Sequence, residues 1–109
     1  MRKLISASLA LLTVFSSSAQ SQSPVANEAE VVFKDFAFAS GEKLPELTVH
    51  YTTIGTPVRG KDGSVSNAVM ILHGTGGTGH QFFQPQFASE LFGPGQVLDT
   101  SKYFIILPD

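Results

Sequence analysis

The chain has 109 residues, 42% hydrophobic and 15% charged, with seven Lys and Arg against nine Asp and Glu for a formal charge of −2. That balance excludes a basic nucleic-acid binder, which would show clustered positive charge, and the apolar content excludes a charge-rich disordered chain. The absence of cysteine excludes a disulfide framework, a thiolate metal site, a cysteine nucleophile and an acylated lipoprotein anchor.

Arg2 and Lys3 precede an apolar run from Leu4 to Phe15, and Ser16 to Ala19 are all small. A basic start, an apolar stretch of about 7–15 residues and a small-x-small site predict a cleaved secretory signal over residues 1–19. Ser17 and Ala19 occupy the two small positions, which places cleavage before Gln20. A membrane anchor needs about 20 apolar residues, and this run is shorter. Without Arg2 and Lys3 the chain keeps five basic against nine acidic groups. The mature protein is therefore expected to be periplasmic or secreted, with no nucleic-acid partner and no membrane attachment after cleavage. Residues 20–29 (QSQSPVANEA) are polar and contain Pro24, so they predict a flexible lead-in.

Val32 to Phe38 (VFKDFAF within VVFKDFAF) is rich in aromatic and β-branched residues. Leu47 to Ile54 (LTVHYTTI) alternates, with Leu47, Val49, Tyr51 and Thr53 on one side and His50 on the other. With Gly41 marking a turn between them, the two segments predict an antiparallel hairpin with a polar outer face, on which His50 is solvated. Arg59 to Ser66 (RGKDGSVS) predicts a solvated loop with a tight turn at Asp62-Gly63.

Ala68 to Leu72 (AVMIL) and Tyr103 to Leu107 (YFIIL) are continuously apolar. Each reads as a strand of a parallel sheet covered on both faces. The stretch between them is long enough for a crossover with a short helix around Phe87 to Phe92, ended by Gly93-Pro94-Gly95. Asp99 is expected to cap a turn, and Phe82, Phe83, Phe87 and Phe92 to pack as core. The fold class is α/β, with an antiparallel hairpin leading into a mostly parallel sheet.

The loop His73 to Gly79 (HGTGGTG) leaves the carboxyl end of AVMIL, which is where ligand sites gather in open α/β sheets. Its glycines fit a mobile surface turn. Gly74 to Gly79 also matches the dinucleotide pattern G-x-G-x-x-G, but that pattern requires a helix opening directly from the loop. Here His80 to Gln86 (HQFFQPQ) is polar and broken by Pro85. A P-loop is excluded, because no Lys-Ser or Lys-Thr follows the glycines. The third reading is an oxyanion loop. Acyl transfer needs backbone donors aimed at the developing O⁻, and α/β-hydrolases take one donor from a His-Gly-rich loop after their third strand. On that reading the Thr75 N–H is the donor, Gly74 and Gly76 permit the bend, and His73 braces the loop through its side chain. His73 and His80 lack the spacing and third ligand of a metal site. No metal and no cofactor are expected.

Gly41 to Leu47 (GEKLPEL), Tyr51 to Gly55 (YTTIG), Asn67 to Gly74 (NAVMILHG) and Gly95 to Ile106 (GQVLDTSKYFII) resemble the homoserine O-acetyltransferase-like branch of the α/β-hydrolase superfamily. The resemblance covers residues 33–109 and implies an eight-stranded, mostly parallel sheet with a Ser-His-Asp machine. It carries the oxyanion role onto Thr75, with Gly74 beside it. Methionine-pathway enzymes of that branch carry a His-Ala-Leu-Thr-Gly type loop and use acetyl-CoA in the cytoplasm. The His-Gly-Thr-Gly-Gly loop and export signal of this chain point instead to an exported ester or acyl hydrolase.

The nucleophile elbow G-x-S-x-G does not occur in these residues. Residues 30–109 are therefore expected to be an incomplete α/β-hydrolase domain, ending after about the fourth strand. Such a chain would be inactive alone and would expose YFIIL as an unpaired edge strand with an open hydrophobic face. The full-length form would act on a small acyl ester or acyl donor. The rival from another class is a small exported binding or structural module, which would melt cooperatively.

Overall fold

The computed structural model describes residues 25–109. The expected signal peptide, its cleavage site and residues 20–24 of the lead-in lie outside the described residues. Four strands form one mixed sheet: β1 (Ala26–Ala37), β2 (Lys43–Ile54), β3 (Ala68–Met70) and β4 (Phe104–Pro108), in the order β1-β2-β4-β3.

β1 and β2 make the expected antiparallel hairpin, in register from Ala26 opposite Ile54 to Ala37 opposite Lys43. β1 starts at Ala26, inside the stretch expected to be a lead-in, because Ala26 to Ala29 pair with Tyr51 to Ile54. Pairing with a β-favouring partner overrides their polar composition. The ladder skips Asp35, which faces Pro45 in register and takes φ +51°. Proline has no N–H to offer its partner.

β2 continues antiparallel onto β4, from Tyr51 opposite Pro108 to Ile54 opposite Ile105, while β3 and β4 are parallel. A five-residue 3-10 helix (Gly79–Phe83) and α1 (Pro85–Leu91) lie between β3 and β4 in the chain. α1 begins earlier than expected, at Pro85, whose fixed φ and missing N–H suit a first helical position. Asp99 caps as expected. Its Oδ2 accepts Gly95 N–H at 2.8 Å, and its Oδ1 accepts Ser101 N–H at 2.9 Å and Ser101 Oγ–H at 2.7 Å.

The core lies on one face of the sheet. Ile54, Ile105 and Leu107 are fully buried there with Phe82 and Phe92, and Val69, Ile71, Ala88, Leu91 and Leu98 pack around them. Phe87 is 37% exposed, its ring edge-on to Phe82 at 5.5 Å. The opposite face carries Val31, Phe33, Val49, Tyr51, Thr53, Met70, Phe104 and Ile106 around an open groove of about 460 Å³.

This arrangement overturns three expectations. On the β2 face of Leu47, Val49, Tyr51 and Thr53 the first three are half-buried and Thr53 is buried, while Thr52 and Ile54 on the other face are fully buried. His50 shares their side of the strand and is therefore on the core side, not the outer side. AVMIL is covered on one face only among the described residues: Val69 and Ile71 pack with the core, whereas Met70 is 60% and Leu72 is 70% exposed on the face that no helix covers. YFIIL, in turn, is not an edge. β4 sits between β2 and β3, so its backbone is paired on both sides. The edges are β1 and β3, and the open hydrophobic surface belongs to the groove.

Candidate functional site

The glycine loop hangs from the carboxyl end of β3. Ile71 N–H donates to Ile106 O at 3.0 Å, which carries β3 pairing one residue past its last strand position. The loop then turns. Gly77 N–H donates to Gly74 O at 3.0 Å, and Gly76 takes φ +77°. A left-handed residue at the third position marks a type II turn, which favours glycine there. Thr75 is therefore the second residue of the turn, at its exposed tip.

His73 Nδ1–H donates to Gly74 O at 2.8 Å, so the Gly74 carbonyl takes both the turn hydrogen bond and the imidazole. That fixes the head of the loop from inside. Thr75 and Gly76 are left with backbone N–H groups that meet no acceptor among the described residues. Both N–H groups stand on an exposed turn, open to a ligand from outside.

The far end of the loop is pressed onto β4. A Cβ on Gly79 would lie 2.9 Å from Leu107 Cβ and 3.0 Å from Leu107 O. Gly79 N–H donates to Asp109 Oδ1 at 2.7 Å. Asp109 Oδ2 lies 2.7 Å from His50 Nδ1, and Asp109 N–H donates to His50 O at 3.0 Å. Close by, His80 Nε2 is 3.2 Å from Glu28 Oε1, across to β1. The hydrogen bond from His50 and the Gly79 N–H set opposite shifts. Asp109 raises the His50 pKa above its ordinary 6.5, while the Gly79 N–H first and His50 second lower that of Asp109.

The structure thus brings His73, Gly74, Thr75 and Gly76 into one turn, as their adjacency requires. His50 and Asp109 are the additions. Parity along β2 could have found His50, since it alternates with Thr52 and Ile54; Asp109 carries no local signal, because its partners come from two distant segments. The segment after the loop is a 3-10 helix ended at Gln84, and α1 is seven residues long. A dinucleotide loop instead opens a helix that packs along the sheet. Among the described residues no three His, Cys, Asp or Glu side chains converge to hold a metal ion.

Homoserine O-acetyltransferase from Deferribacter desulfuricans is 39% identical to this chain over 84 residues, which cover 70% of this chain and 21% of that protein. The crystal structure of homoserine O-acetyltransferase from Bacillus anthracis superposes with a TM-score of 0.60 at 26% identity, over 78% of this chain and 23% of that one. The chain belongs to the homoserine O-acetyltransferase-like branch of the α/β-hydrolase superfamily. Within that branch it spans about a fifth of the length of the relatives it matches. The mixed four-stranded sheet corresponds to the N-terminal region of the α/β-hydrolase fold. Esterase E22, in its L374D form, shares that fold with a TM-score of 0.60 at 21% identity, covering 78% of this chain and 24% of that one. No protein-family profile matches the chain.

Proposed function

We propose that this chain supplies the oxyanion loop of an exported α/β-hydrolase-fold enzyme that hydrolyses or transfers an acyl group through a serine acyl-enzyme. The carrying observation is the pair of free N–H groups at Thr75 and Gly76, held on a type II turn at the carboxyl end of a parallel strand. When a serine Oγ attacks an acyl carbonyl, the carbonyl oxygen gains negative charge. A donor already aimed at that position stabilises it without reorganising. The Thr75 N–H is that donor, Gly74 and Gly76 shape its turn, and His73 braces it.

The substrate is a small acyl ester or acyl donor, in keeping with acyl-transferring relatives. Residues 1–19 direct export and are removed before Gln20. Outside the cytoplasm acetyl-CoA is not the expected donor, which favours water as acceptor and hydrolysis as the outcome. The nucleophile elbow G-x-S-x-G does not occur in these 109 residues. The chain alone is therefore inactive.

Thr75→Pro removes the N–H while leaving φ near the value that the second residue of a type II turn requires. In a longer form that carries a Gly-x-Ser-x-Gly elbow, it should lower kcat on p-nitrophenyl acetate by about 10²–10³-fold with KM little changed. An unchanged kcat would remove the oxyanion role. The 109-residue chain itself should show no turnover, and N-terminal sequencing of the exported product should begin at Gln20.

A further inference from the structure

We propose that His50 and Asp109 are a positioning pair for the glycine loop: Asp109 holds the Gly79 end of the loop by its backbone N–H, and His50 holds Asp109. The inference rests on the oxyanion reading above and adds the residues that aim the loop.

The loop has two roots, and both are fixed to β4. At the first, Ile71 N–H donates to Ile106 O at 3.0 Å. At the second, Gly79 packs against Leu107 and donates its N–H to Asp109 Oδ1 at 2.7 Å. Between the roots the backbone makes a single internal bond, Gly77 N–H to Gly74 O. The direction of the Thr75 N–H therefore depends on where the two roots stand. Asp109 is the side-chain acceptor at the second root. It is gripped twice by β2, through His50 Nδ1 at 2.7 Å and through its own N–H to His50 O at 3.0 Å.

The charges around the pair make the hold depend on the imidazole. Glu30 is the cross-strand partner of His50, and Glu28, two residues along β1, contacts His80 Nε2 at 3.2 Å. Asp109, Glu28 and Glu30 thus all favour the protonated His50 imidazole. Deprotonating His50 removes the charge hydrogen-bonded to Asp109 and leaves the carboxylate to the Gly79 N–H. The hydrogen bond that ties the loop root to β4 then carries a larger share of the carboxylate charge, and the root shifts with it.

The test is an NMR pH titration of the full chain that follows the His50 ring and the backbone amides of Thr75, Gly77 and Gly79. His80→Gln is used as the background, because His80 adjoins Gly79 in sequence and its imidazole would add a second signal at that amide. All three amides should inflect at the midpoint of the His50 ring, and His50→Gln should abolish the inflection. Asp109→Asn should keep Gly79 protected from hydrogen exchange, since the amide oxygen still accepts, yet lose the inflection. Asp109→Ala should lose the protection as well. An inflection confined to Gly79 would reduce the pair to a structural contact and overturn the proposal. So would an inflection that survives His50→Gln, or a Gly79 amide already unprotected in the parent chain. None of these readouts involves acyl chemistry. Failure of Thr75→Pro to slow a longer form would sink the oxyanion reading while leaving the His50–Asp109–Gly79 linkage standing.

Discussion

Gly55 lies against the backbone carbonyl of Tyr103. A Cβ built on it would overlap that oxygen and stand 2.9 Å from Thr100 O, and Gly55 also takes φ +82°. The residue ends β2 at the point where the chain passes under the turn leading into β4. Two independent constraints therefore demand glycine there, one conformational and one steric.

Gly55→Ala should destabilise the chain by at least about 2 kcal/mol, from left-handed strain of about 1–2 kcal/mol together with a displaced backbone. Gly76→Ala is the control, because it has φ +77° but nothing within 4 Å of the added Cβ. It should cost only the strain. Urea midpoints at unchanged m-value separate the two.

Ile105 is fully buried in β4, whereas Met70 in β3 is 60% exposed. Ile105→Ala leaves a cavity among packed neighbours and should cost about 2–5 kcal/mol. Met70→Ala should stay within about 0.5 kcal/mol, as surface changes usually do. Equal losses in denaturant titrations would mean that the groove face is packed in solution.

Thr52 Oγ1 is buried and meets no hydrogen-bond partner among the described residues. Desolvating a hydroxyl without a partner costs about 1–3 kcal/mol, so Thr52→Val should stabilise by up to that amount. A melting temperature that falls in Thr52→Val would show that the hydroxyl is satisfied.

The pH dependence of stability follows from His50 and Asp109. The His50 pKa is raised by its hydrogen bond to Asp109, so its contribution is complete below pH 6.5 and is lost as pH rises through the higher folded value. The Asp109 pKa is lowered by the Gly79 N–H, so its contribution is present above about pH 3.9 and is lost on acidification through the lower folded value. Asp99, lowered to about 2 by Ser101 and the Gly95 and Ser101 N–H groups, adds to the same acid limb. Thermal melts across pH should show His50→Gln flattening the alkaline limb and weakening the acid limb only in part, since the Gly79 N–H still lowers Asp109 and Asp99 is untouched.

Much of the architecture was legible along the chain. Aromatic and β-branched alternation marked the hairpin, two apolar runs marked the parallel pair, and Gly93 marked the end of the helix, whose start at Pro85 came two residues ahead of the expected one. The turn at Thr75 was legible too, since a run of glycines after a strand leaves few conformations that a side chain would permit. What failed was the assignment of faces. Leu47, Val49, Tyr51 and Thr53 look like the inward set of β2, and Thr53 is buried, yet Thr52 and Ile54 on the other face are the fully buried pair. Both sets are apolar enough, and only the helical layer decides which one it covers.

The local order of residues by itself determined the family, the order of the elements and the glycine turn, because these depend on neighbours a few positions apart. The tertiary structure alone decided that β4 is central, that His50 faces the core side, and that Asp109 meets both His50 and Gly79. Those contacts join residues 59 and 30 positions apart in the chain. They exist because antiparallel pairing of β2 with β4 brings the His50 carbonyl to the Asp109 N–H, a relation set by strand register across the sheet and not by local sequence.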